Sequence, residues 1–188
     1  MDTCLKSFLW DNGHEPLELE WRIGHMQGHF RPGVSEDAWE RLRAKLDASP
    51  AFSKSYIETK ESLGDSFKRI EAPGRTVLMV KKRVADYDVA AVTGPWTIRT
   101  SLCYEAVTTA SCPTRFERHK RRWSYRHMCW SVDLTRVRGN LPDQLDSDSD
   151  ICEVELELLD KDVLLERPLA HVLEWGAQIA AELCGLML

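Results

Sequence analysis

The chain reads as a mainly β, α+β protein: an antiparallel barrel of about eight strands with helices packed outside it. Three observations carry that expectation. From residue 54 to residue 159, strand-like runs follow one another with turn signals between several of them. The runs alternate polar and apolar residues with the period of two that a strand imposes, and their polar positions carry charges of both signs. Helical periodicity is confined to one stretch near each end.

Taken in order, a possible short helix or turn around Leu5 to Trp10 is broken by Asp11-Asn12-Gly13. A first strand runs from about Leu17 to His25. Ser35 has the look of a helix N-cap, with Glu36 and Asp37 in the first turn. Ala38, Leu42 and Leu46, with Trp39 beside them, give that helix its apolar face up to about Ala48, ahead of Pro50. Strands follow near 54–62, 66–71, 75–91, 96–108, 115–127, 130–137 and 151–159. Pro73-Gly74, Gly94-Pro95 and Cys112-Pro113 separate some of them, and the polar, acidic stretch from Gly139 to Asp150 is expected to be a hairpin loop. After Pro168, Leu169, Val172, Leu173, Ile179 and Leu183 mark a closing amphipathic helix. At 188 residues, without an internal repeat, the chain is expected to be a single domain over 1–188 with a real core.

The side chains that share a face are the informative part. Glu18, Glu20 and Arg22 align on the first strand, and Glu153, Glu155 and Glu157 on the last. Between them, Lys81 aligns with Arg83; Arg99, Ser101, Cys103 and Glu105 align; so do Arg118, Lys120, Arg122 and Ser124, and Ser131, Asp133 and Thr135. One alternating strand alone is most often the solvent face of a half-buried sheet. Several with the same charged pattern favour a different arrangement: apolar faces against the helices and a charged, hydrated lumen. Five glutamates on the two end strands then have the oxygen chemistry to hold a hard divalent cation.

Bulk properties narrow the classes. A net charge of −5 excludes a generic polyanion binder, although Arg115, Arg118, Lys120, Arg121, Arg122 and Arg126 form a basic stretch fit for phosphate. No apolar run approaches the ~20 residues of a membrane span, and no signal peptide or transit sequence opens the chain. The 6 cysteines show no Cys-x-x-Cys spacing, so a zinc site is not expected and a reducing compartment fits. His25 and His29 lie four apart but flank Gly28, which disfavours metal ligation. The tryptophans, Trp39 and Trp175 among them, are expected to pack in the core rather than stack on bases.

In order and spacing these segments resemble the metal-dependent RNA triphosphatases of fungal and protozoan mRNA capping, within the triphosphate tunnel metalloenzymes. The resemblance runs from about Leu17 to Leu159. It rests on Glu18-Leu19-Glu20-Trp21-Arg22-Ile23-Gly24, Phe30-Arg31-Pro32-Gly33-Val34-Ser35 leading into a helix, and Ile98-Arg99-Thr100-Ser101-Leu102 with Glu105. It continues through Arg118-His119-Lys120-Arg121-Arg122-Trp123-Ser124-Tyr125, Val132-Asp133-Leu134-Thr135-Arg136-Val137 and Glu153-Val154-Glu155-Leu156-Glu157. Family members often carry long N-terminal extensions that contact the capping partner, and this chain is expected to have almost none. A further basic position falls near Arg69.

The resemblance implies a triphosphate tunnel in which Mg2+ or Mn2+ is held by Glu18, Glu20 and Glu157. Arg99, Arg118, Lys120 and Arg122 would contact phosphate oxygens, and Glu105 would orient the attacking water. Arg22, Lys81, Arg83, Ser101, Asp133, Thr135, Glu153 and Glu155 would bind phosphate or support that inner set. The implied substrate is the 5′-triphosphate end of nascent RNA, with an mRNA guanylyltransferase as partner, a nuclear location, and no part for DNA or membranes. Two alternatives stand beside it: a tunnel acting on inorganic, nucleoside or thiamine triphosphate, since Glu18-x-Glu20-x-Arg22 is close to the Glu-x-Glu-x-Lys of those relatives, and a non-catalytic barrel that binds polyphosphate or RNA ends.

Overall fold

In the computed structural model, residues 17–65, 67–110, 113–139 and 150–188 are described. The elements are β1 (Leu17–Gln27), β2 (His29–Pro32), α1 (Glu36–Ala48), β3 (Ser53–Leu63), β4 (Phe67–Ala72), β5 (Arg75–Ala90), β6 (Thr97–Val107), β7 (Phe116–His127), β8 (Trp130–Gly139), β9 (Ile151–Leu158), α2 (Val163–Glu166) and α3 (Leu169–Met187). The turn expected at Leu5 to Trp10 and most of the acidic loop before Asp150 lie outside the described residues.

Eight of these strands pair in the order β1-β6-β5-β4-β3-β7-β8-β9, all antiparallel, and β9 returns to β1 to close the barrel. The seam sets Glu20 opposite Glu157 and Arg22 opposite Glu155. The two glutamate strands, far apart in sequence, are therefore adjacent staves. β2 adds a ninth strand on the end of β1, with Met26 opposite Phe30. The segment at Phe30 to Ser35 is thus more than a lead into a helix: Gly28, at φ +76°, turns the chain back on itself. Gly24 lets β2 approach, because a Cβ there would stand 2.1 Å from the Arg31 carbonyl oxygen.

Among the described residues, the helices cover one side of the barrel. The Ser35 hydroxyl accepts from the Ala38 amide at 3.4 Å, capping α1. α1 and α3 pack on each other and over the outer faces of β1, β6 and β9. The core between them holds Leu19, Trp21, Trp39, Leu42, Leu134, Leu156 and Leu158, and burying a leucine of this kind contributes on the order of 2 kcal/mol. Gly176 brings α3 down onto β1, since a Cβ there would lie 2.3 Å from the Trp21 ring. Arg41 and Lys45 of α1 donate to the Met187 and Leu186 carbonyls, at 2.8 and 2.6 Å, satisfying the open end of α3. Trp130 packs edge-on against both Trp21 and Trp175. Cys103, Cys129, Cys152 and Cys184 are free and buried.

On the uncovered side the rule of charged lumen and apolar exterior changes. β3 turns Lys54, Tyr56 and Glu58 to solvent and places Ile57 and Thr59 in the lumen. With no described helix outside, the outer positions there face solvent and are polar, and the inner ones are released from that demand. On β5 the register slips by one residue between Arg83 and Ala85. Arg83 stands opposite Cys103 and Asp86 opposite Ser101, so this bulge brings Asp86 and Asp88 onto the same face as Lys81 and Arg83.

Candidate active site

The barrel encloses a cavity of about 500 Å³. Its walls carry Glu18, Glu20 and Arg22 from β1, Lys81 and Arg83 from β5, Glu105 from β6, and Arg118, Lys120 and Arg122 from β7. β8 gives Asp133, and β9 gives Glu153, Glu155 and Glu157. Every one of these was expected from strand phase.

Three of the expected residues do not line it. Arg99 shares the inward phase but is drawn aside by the aspartates that the bulge delivers. It donates to both Asp88 carboxylate oxygens at 2.7 Å, and Asp86 lies at 3.5 Å. Its guanidinium also lies 4.5 Å from the centre of the Phe30 ring. Ser101 is fully buried beneath these groups. Thr135 is fully buried too, and its hydroxyl accepts from Arg122 at 3.2 Å. The basic position near Arg69 is in fact Lys68: Arg69 points outward and pairs with Glu71 at 3.0 Å, while Lys68 lines the cavity. Glu61 also lines it and was missed, because β3 mixes its polar and apolar residues on both faces.

The side chains sort into linked clusters. In the first, Lys81 contacts Glu18, and Lys81 and Lys68 both reach Glu105, at 3.0 and 3.1 Å. Burial pushes the Glu105 carboxyl up, but the charges of Lys68 and Lys81 outweigh it and hold it below the usual range. In the second, Glu61 accepts from Arg118 at 2.6 Å and lies 3.8 Å from Lys120. Burial again works against the charged carboxylate, yet Lys120, Arg118 and Lys68 bring Glu61 down to about 2. In the third, Arg122 spans Asp133 at 2.8 Å and Glu155 at 3.1 Å, and the Ser131 hydroxyl donates to Asp133 at 2.6 Å. Burial raises Glu155, but Arg122, Lys120, Arg22 and Lys81 hold it at about 2.

Glu20 and Glu157, opposed across the seam, behave differently. Burial, then Glu155 and Glu18, push the Glu20 carboxyl up to about 8, although Arg22 lies 3.1 Å away. Burial, then Glu18 and Asp133, push Glu157 up to about 7. Among the described residues Glu157 has no ion-pair partner, and no three carboxylates are gathered into a ready coordination shell. Lys120 is the complementary case on the basic wall. It is buried, its pKa is lowered first by burial and then by Arg118, and its nearest carboxylate is 3.8 Å away.

An enclosed lumen with fixed cations on one wall and surplus carboxylate on another has the charge layout of a site for a phosphate-rich ligand. The chain belongs to the family of the mRNA capping enzyme beta chain, whose model matches residues 66–186; it is an RNA 5′-triphosphatase of the tunnel class. The fold is that of S. pombe Pct1 RNA triphosphatase, at TM-score 0.73 and 18 % identity over 94 % of this chain and 84 % of that one. Pct1 in complex with the Spt5 CTD matches at TM-score 0.70 and 16 % identity, over 99 % and 87 % of the two chains. The Mimivirus capping enzyme triphosphatase matches at TM-score 0.53 and 15 % identity, over 94 % and 96 %. No curated protein sequence matches.

Proposed function

We propose that this tunnel removes the γ-phosphate from the 5′-triphosphate end of nascent RNA with the help of Mg2+ or Mn2+, leaving the diphosphate end that capping requires. The observation that carries the metal is Glu157: a half-buried carboxylate without an ion-pair partner among the described residues, facing Glu20 across the seam with Glu18 nearby, so that three carboxylates offer oxygen donors. Those donors suit a hard cation. Glu18, Glu20 and Glu157 would hold it, and when bound it would act as a Lewis acid toward the γ-phosphate.

The chain's own residues do the rest. Arg118, Lys120 and Arg122 present three cations on one strand, and arginine's planar fork grips phosphate oxygens in pairs. Burial makes each of those contacts stronger than it would be in water. Glu105, kept ionised by Lys68 and Lys81, is placed to accept a hydrogen bond from the attacking water. The water oxygen bonds to the γ-phosphorus as the bond to the β–γ bridging oxygen breaks. One proton of the attacking water passes to solvent, the electron pair of the broken bond stays on the β-phosphate oxygen, and inorganic phosphate and the RNA diphosphate leave. Positioning and charge account for most of such a reaction, so Glu105 needs to orient the water more than to deprotonate it fully.

A diphosphate end is what a guanylyltransferase accepts, so we propose that enzyme as partner and the nucleus as the place of work. The test is phosphate release from triphosphate-ended RNA with Mg2+ or Mn2+. Glu18→Ala and Glu157→Ala are expected to abolish it. Full turnover in these variants, or in excess chelator, overturns the metal assignment.

A further inference from the structure

The lumen is not charged all round. Ile57, Leu63, Phe67, Ile70 and Met79 all line the cavity, and all come from β3, β4 and β5. They are half-buried, and none belongs to the apolar core beneath the helices. They therefore present hydrocarbon to the tunnel interior rather than to another element. Triphosphate needs no such surface: its oxygens seek cations and hydrogen-bond donors, and apolar walls beside them only impede hydration.

The placement of these side chains relative to the cations matters. Ile57 stands directly opposite Arg122 on the neighbouring strand, Met79 opposite Lys68, and Ile70 opposite Glu61, the partner of Arg118. Directly opposed side chains lie within ~5.5 Å of one another. The hydrocarbon thus begins one strand away from the groups that grip phosphate. A cavity of about 500 Å³ is large enough to enclose a whole organic ligand.

We infer that this apolar wall seats the 5′-terminal nucleoside of the substrate, its base and ribose lying against Ile57, Ile70 and Met79 while the phosphates meet the cations. The inference rests on the triphosphatase reading and deepens it. It makes the tunnel selective for nucleoside-linked triphosphate over inorganic tripolyphosphate, without preference among bases, because hydrocarbon offers no hydrogen-bond code.

The experiment compares three substrates: triphosphate-ended RNA, ATP and inorganic tripolyphosphate. Ile70→Thr keeps the branching at Cβ with a somewhat smaller side chain, Met79→Gln keeps the length, and both make the wall polar, on two different strands. In each variant KM for RNA and for ATP is expected to rise about tenfold, the scale of losing one good apolar contact, with kcat and the tripolyphosphate KM unchanged. Tripolyphosphate turnover serves as the check that the barrel is intact. Parallel changes on all three substrates in both variants, or no change on RNA and ATP, overturns the inference. So does a wild-type protein that handles tripolyphosphate as efficiently as RNA. If the wild type hydrolyses none of the three, the triphosphatase reading fails and takes this one with it.

Discussion

Glu61 illustrates how a single buried acid can organise a basic wall. Arg118 and Lys120 would repel each other across a lumen of low dielectric; the carboxylate between them makes their proximity tolerable. The consequence is a pH dependence with a definite sign. The folded protein holds Glu61 at about 2, below its ordinary value of 4.5. Its contribution is therefore fully present above pH ~4.5 and is lost as pH falls towards 2. That contribution is on the order of 3 kcal/mol. In urea unfolding, the stability gap between wild type and Glu61→Gln is expected to be widest near neutrality and to narrow steadily over that acid window. A gap that stays constant with pH would show that the residue acts through packing. Glu155 sits at the same low end and Glu157 at the opposite one, two residues apart on one strand. Arg122 explains much of the contrast: it donates to Glu155 but makes no ion pair with Glu157, which feels it only weakly.

At the scale of elements, the helices decide which faces of the strands are legible. Where α1 and α3 cover the barrel, the outer face must be apolar and the charges fall inward, so Glu18, Glu20, Glu153, Glu155 and Glu157 could be placed by counting alone. β7 and β8 obey the same alternation. β3 and β4 lie where no described helix packs, their outer faces answer to solvent, and Glu61 and Lys68 could not be told from Lys60 and Arg69. Arg99 was misplaced for another reason. A bulge in β5 has no mark in the chain beyond Val84, and it is the bulge that brings Asp86 and Asp88 within reach of Arg99. The helix contact itself is testable through Gly176. An added methyl would meet the Trp21 ring, so Gly176→Ala is expected to cost about 1–3 kcal/mol by overpacking, measured as a lower urea midpoint. Wild-type stability in that variant would mean α3 can slide on β1.

At the scale of the whole molecule, Glu20 and Glu157 close a circle that begins at residue 17 and ends at residue 158. Pairing of that range must await nearly the entire chain, and such long-range contacts are slow to form. This longest-range seam is also the one where Glu20 and Glu157 meet face to face. Holding both in the charged form would work against closure in the bare protein, and a bound divalent cation would relieve that cost. Ligand that binds only the folded state raises its stability by mass action. Manganese is therefore expected to raise the melting temperature of the wild type and to leave Glu157→Gln almost unmoved; equal shifts in the two would place the ion elsewhere. The ion that serves the chemistry would then also act as the clasp of the barrel, so a newly made chain short of metal would be slow to mature as well as inactive.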